Sequence, residues 1–281
     1  MNIRMHKKGV LNMKNLIQRR SLLAYFILSY GLFWLFLALC AVVLLSLGFE
    51  PAALPSWLSQ LLTILGSWTP TVAAVIVTGM LGGREAIQRL LKRLVQFHLP
   101  VRWYLAALIP WGLAFVGAGI YRLSGGAASG GVSLSSGFWG GLFFFNLLSG
   151  PMGEEAGWRG FALPRLLEKY SALSASVILG IAWDFWHLPL WVIGGSTLQY
   201  CLFFSIGIIS LSVVMTWIFR KTPNSLVPMA IIHFSYNVSL SLIGPLGMGL
   251  GPAFPLTAIM ATLCLLTAVI VWVTGGLGAE S

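Results

Sequence analysis

Apolar residues run along this chain in long blocks separated by short polar connections. Eight blocks approach the roughly 20 residues that a helix needs to cross hydrocarbon. They are Leu22–Leu47, Trp57–Leu81, Val101–Leu123, Gly137–Leu163, Leu173–Ile193, Leu198–Phe219, Ser225–Ile243 and Phe254–Val273. No stretch shows the short alternating segments of a transmembrane β-barrel. The pattern predicts an all-α membrane protein, an eight-helix transmembrane bundle. Residues 1–20 read as a basic cytoplasmic segment, and 21–281 as one polytopic domain. The first apolar block is too long for the core of a secretory signal peptide, so it is expected to stay as a span.

One connection has its own period. Between the second and third blocks, Arg84 to Phe97 places Ile87, Leu90, Leu91 and Leu94 at helical spacing, with Arg84, Arg89, Lys92 and Arg93 between them. Such a helix either lies on an anionic membrane surface or links two spans in water.

The charges orient the bundle. Basic residues gather at the N-terminus (Arg4, Lys7, Lys8, Lys14, Arg19, Arg20) and in every second connection: Arg84 to Arg102, Arg165 and Lys169, Arg220 and Lys221. The alternate connections, near Glu50 to Ser56, Gly125 to Ser136, Gly194 to Thr197 and Gly244 to Ala253, carry no Lys or Arg. By the positive-inside rule both termini are cytoplasmic. The length and bias suit a bacterial inner membrane. The chain is 58% hydrophobic and only 9% charged, and its net charge of +10 sits in short connections. That excludes a nucleic-acid partner and leaves membrane lipids. Cys40, Cys201 and Cys264 all lie inside apolar blocks and read as packing residues. The Gly- and Ser-rich stretch Ser124 to Gly137 reads as a flexible outer loop.

Ionisable side chains inside a membrane are costly and point to function. The chain has seven acids, and two stand side by side in Pro151-Met152-Gly153-Glu154-Glu155-Ala156-Gly157-Trp158-Arg159-Gly160. Glu155 and Arg159 are four apart and can pair on one helix face. Glu154 is turned about 100° away and is free to face a cavity. A buried ion pair locking two helices explains Glu155 and Arg159 equally well, but it leaves Glu154 without a partner. Two further polar clusters follow in later blocks. Trp183-Asp184-Phe185-Trp186-His187 is one, and His233-Phe234-Ser235-Tyr236-Asn237 is the other. At 1.5 Å per residue Glu154, His233 and His187 lie about 16, 14 and 21 Å from the cytoplasmic edge. One polar chamber, reached from the cytoplasm, would hold all three. The residue types suit water activation: a carboxylate as base, a histidine to orient the water, and a second histidine with an asparagine to donate to an oxyanion. Alternatively Glu154, His187 and His233 could hold zinc from three helices. Asp184 either orients the His187 ring or points to another helix.

The three motifs together resemble the CPBP family of intramembrane proteins, which includes CAAX prenyl endopeptidases, bacteriocin-processing proteins and abortive-infection-type proteins. They are Glu154-Glu155-x-x-x-Arg159, Trp183-x-x-x-His187 and His233-x-x-x-Asn237, and the resemblance covers about residues 137–243. The resemblance implies an intramembrane endopeptidase acting on a membrane-associated protein or peptide, in a family described both as metalloproteases and as glutamate-dependent enzymes; Asn237 suits an oxyanion donor better than a zinc ligand and favours the glutamate mechanism, which requires no cofactor. It makes Glu154 the general base, His187 the residue that positions water, and His233 with Asn237 the oxyanion site. Glu155 and Arg159 would be their supporting pair. The family's second motif usually begins with Phe, and Trp183 stands there instead. Two other readings use the same residues: a proton-coupled transporter with a Glu/His relay, and a catalytically inactive membrane scaffold.

Overall fold

The computed structural model describes residues 20–49, 54–125, 136–243 and 254–277. Most of the basic N-terminal segment, the Ser124 to Gly137 loop and the 244–253 connection lie outside these residues. Helical segments fall at all eight expected positions. α1 is Ser21–Ser46. The second position holds α2 (Ser56–Ser67) and α3 (Thr69–Lys92), joined at Trp68 where Pro70 begins the new helix. The third holds α4 (Val101–Ala106) and α5 (Ile109–Leu123).

The fourth position is the most broken. α6 (Ser136–Leu148) ends before Gly150, α7 (Pro151–Glu155) restarts at a proline, a π-helical stretch covers Ala156–Ala162, and α8 is Leu163–Leu167. The fifth holds α9 (Ala172–Trp186) and α10 (Leu188–Ile193). α11 (Leu198–Lys221), α12 (Val227–Ile243) and α13 (Phe254–Val273) complete the bundle. Among the described residues five segments are long and apolar enough to cross a membrane: 21–46, 56–95, 101–123, 172–193 and 198–221.

Large apolar side chains cover the outside of the bundle. Ile27, Leu35, Phe115 and Leu202 are all exposed, as a hydrocarbon solvent requires. The interior is set by close helix approaches. A Cβ on Gly157 would lie 2.5 Å from the Pro70 carbonyl oxygen, and one on Gly153 would lie 2.8 Å from the Ser67 carbonyl oxygen. These glycines sit four apart on one face, the small-residue spacing that lets membrane helices touch backbone to backbone. The helix carrying the two glutamates is thereby fixed against α2 and α3.

The Arg84 to Phe97 connection is tied to the bundle. Gly83, at φ 63°, bends α3 so that its basic half folds back beneath the bundle. Leu90 is buried, Arg93 donates to the carbonyls of Gly160 (3.1 Å) and Pro223 (2.5 Å), and Ser225 donates to the Gln96 carbonyl. Leu91, Val95 and Phe97 stay on the outer edge. The helical period is as expected, and Leu90 of its apolar face packs on protein while Leu91 stays exposed.

Candidate active site

Glu154 begins the site. It lies on α7, the short helix between the break at Gly150 and the π stretch, and it is 3% exposed. Its Oε2 accepts two indole N–H groups, from Trp183 at 2.6 Å and from Trp158 at 3.1 Å. One oxygen of the carboxylate is thus held by neutral donors from two helices.

Glu155 faces the other way and is fully buried. Its Oε1 accepts from Arg159 at 3.0 Å and from His233 Nδ1 at 2.7 Å. The Arg159 guanidinium carbon lies 4.1 Å from the centroid of the Trp183 ring. The expected Glu155–Arg159 pair is therefore present, and it has a third member, His233, whose carboxylate partner sets the ring's direction. Trp183 touches both clusters, giving its N–H to Glu154 and its face to Arg159.

His187 ends α9 one turn beyond Trp183. Its Nδ1 lies 2.8 Å from the Trp183 carbonyl oxygen. A carbonyl only accepts, so Nδ1 carries the proton and Nε2 of the neutral ring is left with its lone pair. Asp184 takes no part in this. It accepts from Ser205 on α11 at 2.8 Å, so it points to another helix and does not orient the His187 ring.

The break at Gly150 completes the geometry. A Cβ on Gly150 would stand 2.8 Å from His233 Nε2 and 2.7 Å from Asn237 Nδ2. Both nitrogens are directed at one spot that only a glycine leaves clear. A cavity of about 340 Å³ joins Glu154, Trp183, Trp186, His187, His233 and Asn237. Of the six residues singled out by sequence, Glu154, His187, His233 and Asn237 line it, while Glu155 and Arg159 stand behind it. Sequence reasoning missed the donor role of Trp158, although it lies four residues from Glu154. It took Trp183 as a replacement for Phe rather than as a donor. It also passed over Gly150 and Asn146, a buried amide in an apolar run that accepts from Ser241 at 3.1 Å.

Of the alternative zinc set, Glu154 Oε2, His187 Nδ1 and His233 Nδ1 bond protein partners, which leaves Glu154 Oε1 and the two Nε2 atoms as the atoms that could hold an ion. Among the described residues no three His, Cys, Asp or Glu side chains gather as metal ligands.

On the Trp158 side of Glu154 lies a fully buried layer of Tyr25, Trp158, Arg159 and Phe161. Tyr25 meets Trp158 edge-on with ring centroids 5.6 Å apart, and Phe161 at 5.1 Å.

Residues 136–239 match the family model described as Rce1-like, type II CAAX prenyl endopeptidase Rce1-like. A protein of Methanococcus maripaludis named CAAX prenyl protease 2 is 35% identical over 123 residues, covering 41% of this chain and 45% of that relative. The chain thus matches less than half the length of this curated relative. All three motifs fall inside the family match.

Proposed function

We propose that this chain, whose residues 136–239 match the Rce1-like CAAX endopeptidase family model, is an intramembrane endopeptidase that cuts a membrane-associated polypeptide. The observation that carries this reading is the clamp on Glu154. One oxygen is fixed by Trp158 and Trp183, and the other is left for water in the same cavity as His187, His233 and Asn237. A transporter relay needs groups that exchange protons along a path, not a carboxylate held still beside two converging nitrogen atoms.

In the proposed reaction Glu154 Oε1 takes a proton from a water whose other hydrogen is accepted by His187 Nε2. The water oxygen attacks the peptide carbonyl carbon. The carbonyl oxygen becomes an oxyanion beside Gly150, where Asn237 Nδ2 and, in the protonated ring, His233 Nε2 donate to it. The C–N bond then breaks, and the proton held by Glu154 passes to the leaving nitrogen. Glu155 and Arg159 hold His233 in place and do not touch the reacting atoms. No step requires a metal.

Cleavage is tested by mapping new peptide ends in membranes that contain either the wild-type chain or Glu154→Gln at equal abundance. Ends produced only by wild type are expected. Identical sets of ends from the two would overturn the hydrolytic reading.

A further inference from the structure

We infer that a second cavity, separate from the one at Glu154, binds the phosphate headgroup of an anionic phospholipid. The inference does not depend on the hydrolytic reading above.

The cavity has a volume of about 690 Å³ and lies where three segments meet. Arg20 and Leu23 come from the start of α1, and Leu81 from α3, two residues before the bend at Gly83. Arg165, Glu168 and Lys169 come from the last turn of α8 and the residues after it. It shares no lining residue with the cavity at Glu154.

Its charge is unbalanced. Three cations stand around it with a single acid, so two positive charges are in excess. Among the described residues no carboxylate comes within ion-pairing distance of Arg20, Arg165 or Lys169. Arg165 is the fixed member of the three. It gives one N–H to the Phe161 carbonyl at 2.8 Å, and its guanidinium carbon lies 3.6 Å from the centroid of the Phe161 ring. A guanidinium has five N–H donors, so most of them are left for a ligand. Arg20 and Lys169 are exposed and can close on that ligand from either side. Cations held together without a counter-ion, with donors to spare, suit phosphate oxygens.

The walls favour a lipid over a soluble anion. α1 is long and apolar enough to cross a membrane, and Arg20 stands at its first turn, the level at which headgroups lie. Leu22, Leu23 and Leu81 form the apolar side of the cavity. Leu23 and Ile27 are one turn apart on the outer face of α1, and both are exposed. A headgroup in the cavity would lay its acyl chain along these two side chains. A basic pocket between membrane helices, open to such a strip, is the form that recognises anionic lipid headgroups. Two excess charges match a lipid with two phosphodiester groups.

The test counts bound lipid by native mass spectrometry on the full chain in neutral detergent. Cardiolipin, which has two phosphodiester groups, is titrated against phosphatidylcholine. Wild type is expected to hold cardiolipin at least tenfold more tightly. Arg20→Gln with Lys169→Gln should weaken it at least tenfold. Both positions are exposed, and Arg165 is left in place because its bond to Phe161 is structural. Arg84→Gln with Lys92→Gln removes the same charge from exposed positions outside the cavity and should change the affinity less than twofold. Glu168→Gln should tighten binding about threefold, a gain that misfolding could not produce. Equal loss in the two double variants, or no loss in either, overturns the site. So does an unchanged or weaker affinity in Glu168→Gln. Excess inorganic phosphate, compared with chloride at the same ionic strength, should leave the lipid bound. Displacement by phosphate alone would mark a soluble-phosphate site and overturn the lipid assignment.

Discussion

Two adjacent carboxylates on one helix meet opposite treatment. Glu155 is surrounded by cationic and ionisable partners: Arg159 and His233 share its Oε1, and Arg159 in turn lies on the Trp183 ring. Glu154 receives only neutral indole donors, and it borders a cavity. A buried carboxylate needs either an opposite charge or hydrogen bonds to remain ionised. The first arrangement stabilises a structure and ends there. The second fixes the carboxylate's position and leaves one oxygen able to act. The neighbouring regions therefore divide support from chemistry, although residue type and burial are the same.

The division can be broken most severely at Glu154. Glu154→Gln keeps both indole bonds, since an amide oxygen accepts as a carboxylate does, and it removes the base. Loss of peptide hydrolysis by about 10³-fold, with folded yield unchanged, is expected from a steady-state cleavage assay. Arg159→Ala acts on the other region. It strands the buried Glu155, a change that costs about 3–5 kcal/mol. Detergent-solubilised Arg159→Ala should give much less monodisperse protein than Glu154→Ala, and equal yields would erase the distinction.

A milder test moves no polar group. Gly150→Ala would place a methyl against His233 Nε2 and Asn237 Nδ2. A drop of about 10²-fold in kcat with little change in KM is expected, the size seen when one oxyanion donor is lost. Trp183→Phe then sharpens the contrast, because it keeps a ring over Arg159 and deletes only the N–H to Glu154. About a tenfold fall in kcat is expected, in the range for one hydrogen bond to a charged group. Unchanged kcat would mean that Trp158 alone holds the carboxylate. Least affected should be Asp184→Asn, within about twofold of wild type in kcat/KM, because the side chain bonds Ser205 and not His187.

Much of this was legible in the chain. Eight apolar blocks gave eight helical positions, and the Glu155–Arg159 spacing gave its ion pair. What stayed hidden depends on backbone breaks and on distant neighbours. The turn at Gly150 is marked only by a glycine before a proline, a pairing common in loops. Nothing local says that His233 and Asn237, more than eighty residues later, point at it. The Trp158 bond follows i,i+4 spacing, but an indole in a membrane helix usually reads as bulk.

The π-helical stretch Ala156–Ala162 lies between the two glutamates and the last turn of their helix. Such a stretch carries an extra residue relative to an α-helix of the same rise. Its presence makes the site sensitive to chain length in a way that no side-chain change reproduces. Deleting one residue here would let the segment relax to α geometry with its flanks nearly in register, whereas inserting one would turn one flank against the other by about 100°. Leu163 and Leu166 are buried in the bundle and resist that rotation, so on insertion the glutamate pair would be the part to swing. In this helix a frame of single-residue insertion and deletion, more than any substitution, sets where the two carboxylates aim.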